Sequence, residues 1–352
     1  MKSFRQRKED VKQNNLSNQK QMSTTASSSS SLETEAEAEA ETVYHSKDFK
    51  WETLKEEIEN NPSYHYHLQP FHSPQHQHHQ QDSKAWQNFH TRHSSGKFFK
   101  ERRYLLKEFP ELVNCGEGSK VLEVGCGNGS TVLPILRGNR NVIVYACDCS
   151  CEILERAKEF VGASDLASVQ QRFHPFYCDF SATGFPKWLA CDSCRSFVPQ
   201  KQHGCFSDVD ENDRTHSNDL DLLKKSDCCL GGVDFVTMIF TLSAVSSRRM
   251  PSAISECFFV LKPGGLLLFR DYGLYDMSML RFEPGQRVGS REYMRSDGTR
   301  SYFFCLETVR NIVAGAGFVE LELYYCCINL VNRRNGKSMR RVWIHGKFQK
   351  PI

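Results

Sequence analysis

A glycine-rich turn directly after an apolar run is the feature that most restricts how this chain can fold. Residues Val121–Gly129 read VLEVGCGNG, so a buried strand leads into Gly125, Gly127 and Gly129. Glycine lets a backbone turn tightly and approach a ligand, and the N–H groups at the start of a following helix are free to bind one. The segment therefore predicts a strand, a ligand-binding turn and a helix, in that order.

Apolar strands and helices alternate through the rest of the folded region. Such alternation favours a mostly parallel sheet with helices on both faces. The predicted strands are Lys120–Val124, Val142–Ala146, Gln171–Tyr177, Val233–Ile239, Leu266–Arg270, Val319–Tyr325 and Met339–Gly346, and the predicted helices are Ser130–Leu136, Cys151–Phe160, Met250–Leu261 and Leu306–Ala316. With 352 residues, 39% of them hydrophobic, the chain can bury a substantial core. We therefore predict one α/β domain.

The first 85 residues differ in composition from the rest of the chain. They contain a serine run, an alternating Glu/Ala stretch and a His/Gln-rich tract. Such segments bury too little apolar surface to offset the entropy of the chain. We expect residues 1–85 to be a disordered low-complexity region that contains at most a short amphipathic helix at Phe49–Ile58. The folded domain is expected to span residues 86–352.

Two stretches inside that domain depart from the alternation. Residues Trp86 to Pro110 carry apolar side chains at helical spacing, and we predict a helix that Pro110 stops, within N-terminal helices at residues 86–112. Residues 190–231 are polar and rich in turn formers, which indicates an inserted surface loop. The insertion holds possible zinc ligands at Cys191, Cys194, His203, Cys205, Cys228 and Cys229. Its second half lacks the CxxC spacing, so we favour an insertion without a metal.

Cysteine usage and the absence of long apolar runs bear on the compartment. The chain has 15 cysteines, an odd number, and several lie within or next to predicted strands, where a free thiol acts as a small apolar residue. No run approaches the roughly 20 apolar residues of a membrane helix. The first residues lack the apolar core of a signal peptide. We expect a cytoplasmic protein with no membrane partner, and entry into the nucleus stays open.

Three acidic residues near the glycine turn indicate the class of ligand. Glu123 precedes the turn, Asp148 ends the second predicted strand, and Asp179 ends the third. A carboxylate at the position of Asp148 can accept both hydroxyls of a ribose. Dinucleotide sites show G-x-G-x-x-G, whereas the spacing here is E-x-G-x-G-x-G, and an acid beside the turn suits a ligand with a cationic amino-acid end.

Together with the turn Lys262-Pro-Gly-Gly before the fifth strand, these acids resemble the S-adenosylmethionine site of Rossmann-like class I methyltransferases. That resemblance implies a mostly parallel seven-stranded sheet. Strings outside the site are similar to the tRNA N3-methylcytidine methyltransferases, and the similarity covers the chain from Trp86 to its end, apart from the insertion. The strings are WQNFH at Trp86–His90, KFFKERRYL at Lys97–Leu105, IFTLSA at Ile239–Ala244, FRDYG at Phe269–Gly273 and RSDGTRSYFF at Arg295–Phe304.

The resemblance implies a set of cofactor-binding residues. They are Trp86, His90, Glu123, Gly125, Gly127, Asp148, Asp179, Phe180 and Ile239. Trp86 is expected to cover the cofactor, and Asp179 to bind its adenine beside Phe180. A tyrosine is common in the family where His90 stands here, so the role of this residue is the least secure of the set.

The resemblance also implies the reaction and its partner. Cytosine N3 carries a lone pair in the neutral base, so catalysis is largely alignment and exclusion of water. Arg270, Asp271 and Tyr272 follow the fifth strand and are expected near the base, where Asp271 and Tyr272 would stabilise the cationic product. A local salt bridge between Arg270 and Asp271 is an equally good interpretation.

N3 lies on the pairing edge of the base, so the base must be unpaired or flipped out, as in the anticodon loop of a tRNA. Basic clusters with few acids predict contacts to tRNA phosphates. The candidates are Lys97, Lys100, Arg102, Arg103, Arg295, Arg300, Arg333, Arg334, Arg340 and Arg341. An aminoacyl-tRNA synthetase or another tRNA-selecting protein is a possible partner.

Two other functions are compatible with the same cofactor motifs. A class I methyltransferase that acts on a small molecule or a protein would keep the cofactor site and make the basic clusters incidental. A non-catalytic adaptor with the same fold would not need Gly125, Gly127, Asp148 and Asp179, so their presence argues against it.

Overall fold

A seven-stranded sheet organises the computed structural model, which describes residues 47–71, 82–93, 101–163, 167–195, 229–331, 336 and 338–352. Among these residues the strand order is β3-β2-β1-β4-β5-β10-β9. Strands β1 to β5 are parallel, and β10 runs antiparallel to both β5 and β9. The strands are β1 (Lys120–Val124), β2 (Ile143–Asp148), β3 (Phe173–Tyr177), β4 (Val233–Ile239), β5 (Leu261–Tyr272), β9 (Val319–Val331) and β10 (Ser338–Gln349). The predicted α/β class and all seven strands are confirmed.

Helices lie between the strands and beside the first described residues. They are α1 (Trp51–Glu59), α2 (His65–Leu68), α3 (Asp82–Arg92), α4 (Leu105–Glu108), α5 (Glu111–Asn114), α6 (Val132–Gly138), α7 (Cys151–Gly162), α8 (Ala167–Gln170), α9 (Phe180–Thr183), α10 (Asp192–Arg195), α11 (Met250–Val260) and α12 (Leu306–Gly315). Helix α7 shows why they form: Ile153, Leu154, Ala157 and Val161 bury one face at helical spacing. The four predicted helices correspond to α6, α7, α11 and α12.

The main core lies between the sheet and helices α11 and α12. Residues of β1, β4 and β5, such as Leu122, Val236 and Leu267, are fully buried there. Most buried side chains on both faces of these strands are apolar, as expected for a parallel sheet covered on both sides. The central strands are therefore rigid supports for the residues at their carboxyl ends.

A second, smaller sheet was not predicted. It consists of β6 (Arg287–Gly289), β7 (Glu292–Met294) and β8 (Arg300–Tyr302), each three residues long. Strands this short leave a weak periodic signal in a sequence, because three residues show at most one full alternation. The small sheet follows β5 and precedes α12.

The predicted boundary at residue 86 is wrong. Residues Lys47–Ile352 belong to one compact unit, and α1 buries Leu54 and Ile58 to 2% and 1% exposure against a cluster that includes Met279 and Val342. The expected amphipathic helix therefore forms, but as part of the domain and not of a disordered region. The other residues of the low-complexity tracts lie outside the described residues.

The predicted helix from Trp86 to Pro110 is also wrong. Helix α3 ends at Arg92. The described residues resume at 101, and residues 101 and 102 are not helical, since the Arg102 N–H donates to the carbonyl of Ser130 at 2.9 Å. Bonding to a distant turn overrides the local helical pattern. Of the predicted insertion at 190–231, residues 196–228 lie outside the described residues.

Candidate cofactor and substrate site

The candidate site lies at the carboxyl ends of the parallel strands, where the chain order of the strands reverses. Strand β1 pairs with β2 on one side and β4 on the other, so that Val124 lies between Cys147 and Met238. Connections from β1 and β4 leave the sheet in opposite directions, and the crevice between them is where open α/β sheets bind ligands. The glycine turn begins at this crevice.

The glycine turn needs its glycines for steric reasons. Gly125 has a φ of 67°, and a Cβ built on it would lie 2.5 Å from the Thr241 Cγ2 atom and 2.6 Å from its Oγ1 atom. Gly127 has a φ of 53°, and its N–H donates to Asp148 Oδ2 at 3.0 Å. L-residues with a side chain rarely adopt such φ values. A bulkier residue at 125 would therefore displace the turn away from the end of β4.

Asp148 connects the turn to the next strand. Its Oδ1 atom accepts a hydrogen bond from the Ser150 N–H at 3.1 Å, and its Oδ2 atom accepts the one from Gly127. Burial raises the pKa of Asp148 to about 6, although these backbone donors act against the rise. The side chain is thus largely ionised at neutral pH. Each carboxylate oxygen has a second lone pair that a hydroxyl group can use.

Glu123 lies under the turn, fully buried in β1. The Thr237 hydroxyl donates to its Oε2 atom, and its Oε1 atom has no hydrogen-bond partner among the described residues. Burial raises the pKa of Glu123 to about 7, and Thr237 and Arg102 act against the rise. A buried carboxyl oxygen without a partner is costly, so this atom indicates a missing donor.

The other predicted cofactor residues flank this crevice. Asp179 follows β3, is half-buried, and accepts a hydrogen bond from Ser181 Oγ at 2.9 Å. Phe180 stacks on Phe185 with ring centroids 5.5 Å apart, so its ring belongs to the main core. Ile239 ends β4 and is 2% exposed. Of these three, Asp179 has the more accessible side chain.

Helix α3 approaches the crevice from the side of β2. Gln87 Nε2 donates to the carbonyl of Cys149 at 3.0 Å, directly after Asp148. Trp86 is half-buried, and its Nε1 atom is buried without a partner among the described residues. His90 is 5% exposed, and burial lowers its pKa to about 4, so its ring is neutral at pH 7. The helix therefore carries a half-buried indole and a neutral imidazole, and Gln87 joins it to the residue that follows Asp148.

A wall of aromatic rings lies at the carboxyl ends of β4 and β5. Phe240 and Tyr272 have ring centroids 5.0 Å apart, and the rings of Trp343 and Phe303 lie within 5.8 Å of one or the other. Phe240 has a φ of 56°, a strained value for a residue with a side chain. Phe240 was not predicted as a site residue, although it directly follows the predicted strand Val233–Ile239.

Two of the three predicted catalytic residues lie elsewhere. Arg270 is fully buried and pairs with Glu108 at 2.5 Å on the face of the sheet under α4. Asp271 is also fully buried, and its two oxygens accept the N–H groups of Ser243 and Tyr272 at 2.9 and 2.8 Å. Burial raises the pKa of Asp271 to about 6. Neither side chain is exposed at the aromatic wall in this structure, and the two do not form the alternative salt bridge with each other.

Tyr272 occupies a different environment from its two neighbours. It is half-buried, its ring belongs to the aromatic wall, and the Arg341 guanidinium lies 5.9 Å from its centroid. Burial raises the pKa of Tyr272, although Arg341 and Arg295 act against the rise. Tyr272 therefore has a neutral hydroxyl and a ring next to two cationic side chains.

The predicted tRNA-binding residues divide into four groups. Lys97, Lys100, Arg333 and Arg334 lie outside the described residues. Arg300 is 8% exposed and pairs with Asp82 at 3.3 Å and Glu292 at 2.8 Å. This prediction was wrong for Arg300, because its guanidinium is used inside the protein to join α3 to the small sheet. Arg103 and Arg340 are at the surface, in ion pairs with Glu101 and Glu57.

The remaining arginines line the site itself. Arg102 donates to Thr131 Oγ1 at 3.0 Å and lies 5.6 Å from the Phe240 ring, so it faces the crevice. Arg341 pairs with the buried Asp276 at 2.9 Å and lies 5.3 Å from the Trp343 ring. Arg295 lies 5.8 Å from the Phe282 ring. Arg102 in particular is closer to the glycine turn than its position in a basic run suggested.

The part of the chain that the structure describes contains no group of three or more His, Cys, Asp or Glu side chains that could hold a metal ion. Of the possible zinc ligands in the insertion, His203, Cys205 and Cys228 lie outside the described residues. Among the described residues, no helix is long and apolar enough to span a membrane.

The fold, the glycine turn and the acid after β2 together define a methyltransferase of class I, and a family model described as a methyltransferase domain matches residues 91–323. Comparison with curated proteins narrows the class. The chain is 34% identical to the human tRNA N(3)-cytidine methyltransferase METTL6 over 276 residues, which cover 77% of this chain and 81% of that protein. It is 34% identical to Mettl2 of Drosophila melanogaster, a tRNA N(3)-methylcytidine methyltransferase, over 76% of this chain and 71% of that protein. The chain belongs to the tRNA N(3)-cytidine methyltransferase family.

The chain is also similar to part of another curated protein and to a solved structure. O-methyltransferase 3 of Dictyostelium discoideum is 46% identical over 122 residues, which cover 34% of this chain and 28% of that protein. A methyltransferase structure from Bacillus halodurans has a TM-score of 0.45 and 15% identity, and the match covers 70% of this chain and 99% of that one.

Enzymes of this class take their methyl group from S-adenosylmethionine, and the residues present fit that cofactor. Gly125 forms a cradle that a Cβ would fill, and the lone pairs of Asp148 suit ribose hydroxyls. The unpartnered Glu123 Oε1 atom lies below the turn, where it can accept from a cationic ammonium group directly or through a water. The space at Gly125 and the acceptor atoms of Asp148 and Glu123 therefore fit groups that a bound cofactor would provide.

Proposed function

We propose that this protein transfers a methyl group from S-adenosylmethionine to N3 of a cytidine in the anticodon loop of tRNA. The observation that carries the proposal is the adjacency of two features at the carboxyl end of β4. The glycine turn contacts Thr241, and the aromatic wall begins one residue earlier at Phe240. A cofactor bound at the glycine turn and a base stacked on the aromatic wall would therefore both lie at the carboxyl end of β4.

The cofactor-binding residues have distinct proposed roles. The backbone of Gly125 and Gly127 leaves room for the cofactor, Asp148 accepts its ribose hydroxyls, and Glu123 attracts its ammonium group. Asp179 accepts from the adenine amino group between Phe180 and Ile239, and Trp86 and His90 on α3 shield the crevice from water. When bound, S-adenosylmethionine supplies a methyl group that bonds to cytosine N3 as the carbon–sulfur bond breaks.

The aromatic wall is the proposed site of the flipped-out base. The faces of Phe240 and Tyr272 can stack on a cytosine ring, and π-faces stabilise the positive charge that the ring acquires. A general base is not needed, because N3 of neutral cytosine carries no proton. Asp271 acts as a positioning residue, since its carboxylate holds the Ser243 N–H at the end of β4.

The tRNA backbone is proposed to bind to Arg103, Arg295, Arg340 and Arg341. Such contacts are mainly electrostatic, so affinity for tRNA should fall steeply with salt. An aminoacyl-tRNA synthetase that selects the tRNA, and a cytoplasmic location, belong to the same proposal. Copurification with and without ribonuclease and microscopy of a tagged chain would test these two points.

The direct test is methyl transfer from labelled S-adenosylmethionine to total tRNA, followed by mass spectrometry of the nucleosides. The expected product is 3-methylcytidine, and the Asp148→Ala variant is expected to form none. Another methylated nucleoside would show that the base assignment is wrong. Cofactor binding without transfer to tRNA, in the presence of cell extract, would contradict the proposed substrate.

A second function has one observation in its favour. The match to an O-methyltransferase over 122 residues leaves open a small-molecule or protein substrate. In that case the labelled methyl group would appear in the small-molecule or protein fraction of an extract. Transfer would then be insensitive to salt concentrations that dissociate tRNA.

A further inference from the structure

Three acidic and three basic side chains form a continuous chain between the sheet and residues 101–114, buried at its Arg270 end and partly exposed at Glu322 and Glu111. Arg270 Nη1 lies 2.5 Å from Glu108 Oε1, and the same oxygen lies 2.9 Å from His345 Nδ1. His345 Nε2 then lies 3.0 Å from Glu322 Oε2. Lys347 Nζ closes the chain, at 3.0 Å from Glu322 Oε1 and 2.8 Å from Glu111 Oε1. The cofactor site and the aromatic wall do not account for this chain.

Arg270 and His345 are each enclosed between aromatic rings. The Arg270 guanidinium lies 5.1 Å from the Tyr104 ring and 4.5 Å from the Trp343 ring. His345 is stacked between Phe109, at 5.0 Å, and Tyr324, at 4.6 Å. In both cases one ring comes from residues 101–114 and the other from the sheet. Glu108 contacts both Arg270 and His345, so it links the two stacks.

This arrangement specifies one position for the segment that carries the stacks. A planar guanidinium between two rings, bonded to a carboxylate, has one favourable orientation, whereas an apolar contact of equal area could slide. Buried ion pairs are a poor source of net stability, because desolvation of the charges offsets most of their attraction. The chain of charges is therefore better suited to orienting a segment than to stabilising the fold.

The segment so oriented also reaches the candidate site. Arg102 precedes Tyr104 by two residues, and its side chain contacts Thr131 beside the glycine turn and Phe240 in the aromatic wall. Trp343, the second ring around Arg270, lies 5.8 Å from the same Phe240 ring. The stacks thus connect to Phe240 from two directions.

We propose that Glu108, Arg270 and His345 are positioning residues, which hold residues 101–109 so that Arg102 lies against Phe240 between the cofactor turn and the base site. The proposal rests on the proposed function. Its effect on the reaction is indirect: the three side chains contact neither cofactor nor base and act through Arg102 and Trp343.

The test compares Glu108→Gln with Arg270→Lys in the full chain. Glu108→Gln keeps the shape but removes the negative charge that faces Arg270 and His345. Arg270→Lys keeps the charge but loses the planar group that the rings enclose. The matched control is Glu256→Gln, which weakens the pair of Glu256 with Arg195 at 3.0 Å, away from residues 101–109.

The first readout is hydrogen exchange of peptides that cover residues 101–109, with no cofactor or tRNA present. We expect exchange there to accelerate at least tenfold in both variants, with no change in β1 and β4, and we expect the control to match the wild type. The same exchange rates in variants and wild type would overturn the proposal. Acceleration across the whole sheet would also overturn it, because it would indicate a stabilising role only.

The second readout separates binding from turnover well below the unfolding temperature. We expect the KM for tRNA to rise and kcat to fall by about ten- to a hundredfold in Glu108→Gln, since a misplacement near 1 Å can cost that much. Affinity for S-adenosylhomocysteine should change less than threefold. A lower kcat with an unchanged KM would match a smaller active fraction and contradict positioning. If the wild type does not methylate tRNA, the proposed function fails while the exchange result still stands.

Discussion

The cofactor turn and the aromatic wall meet at the end of β4 but are built in different ways. The hydrogen bonds of Asp148 that hold the turn come from residues close in sequence, Ser150 and Gly127, which are 2 and 21 positions away. The rings of the wall come from distant segments, since Phe240 at the end of β4 lies beside Trp343 of β10. Helices α3 and α1 are also held by remote pairs: Arg300 and Asp82 are 218 positions apart, and Arg340 and Glu57 are 283 apart. One half of the site depends on backbone conformation, and the other depends on the packing of distant segments.

The largest expected effect comes from breaking a buried ion pair between segments that are remote in sequence. Arg300→Met leaves Asp82 and Glu292 buried with fewer partners, and loss of one member of a buried ion pair costs about 3–5 kcal/mol. We expect that loss in the free energy of unfolding from urea titrations. Arg340→Met removes an exposed pair with Glu57 and should cost less than about 1 kcal/mol. Similar values for the two variants would contradict the structural role of Arg300.

A substitution in the turn should remove function with less effect on the fold. Gly125→Ala places a Cβ 2.5 Å from Thr241 at a φ of 67°, which strains the backbone by roughly 1–3 kcal/mol. We expect affinity for S-adenosylhomocysteine to fall about a hundredfold in calorimetric titration. Gly116→Ala is the control, because nothing lies within 4 Å of its Cβ and the affinity should not change. Unchanged affinity in Gly125→Ala would place the cofactor elsewhere.

The third prediction concerns pH and the buried Glu123. Its pKa rises from 4.5 to about 7 on folding, so the folded protein holds a proton that the unfolded chain loses. Stability therefore falls as pH rises from about 4.5 to 7, and the full cost applies above pH 7. Glu123→Gln should stabilise the protein by roughly 1–3 kcal/mol more at pH 8 than at pH 4.5.

Thermal and urea unfolding at the two pH values would measure this difference. The same variant should bind the cofactor more weakly at pH 8, because the acceptor for its ammonium group loses its charge. Stabilisation of equal size at both pH values would show that Glu123 is not responsible for the pH dependence.

The smallest expected effect concerns the exposed arginines. Arg103→Ala should leave the free energy of unfolding within about 0.5 kcal/mol, since a surface substitution rarely changes it more. Affinity for tRNA should fall a few-fold. The slope of log affinity against log salt should become shallower by about 1, as expected for the loss of one phosphate contact. Fluorescence titration of tRNA at four salt concentrations would measure both, and an unchanged slope would exclude Arg103 from the interface.

Much of the fold and of the cofactor half was predictable from the sequence. The bounds of β1 and β4 match the predicted residues, because a buried parallel strand reads as a short apolar run between turn formers. The wall was harder to predict. Arg270 and Asp271 were candidates for catalysis because they lie at the carboxyl end of the predicted fifth strand, but their burial depends on α4 and on the turn at Leu242–Ala244, which lie elsewhere in the chain.

The sequence by itself determined the class of fold and the place of the cofactor turn, because strand periodicity and glycine spacing are local properties of the backbone. The tertiary structure decided which charged residues face the site and which are buried. Arg102 and Arg300 both belong to basic strings, yet one contacts Phe240 and the other joins two acids in the interior. Burial of a charge depends on partners from distant segments, and a local stretch of sequence does not show which distant residues those partners are.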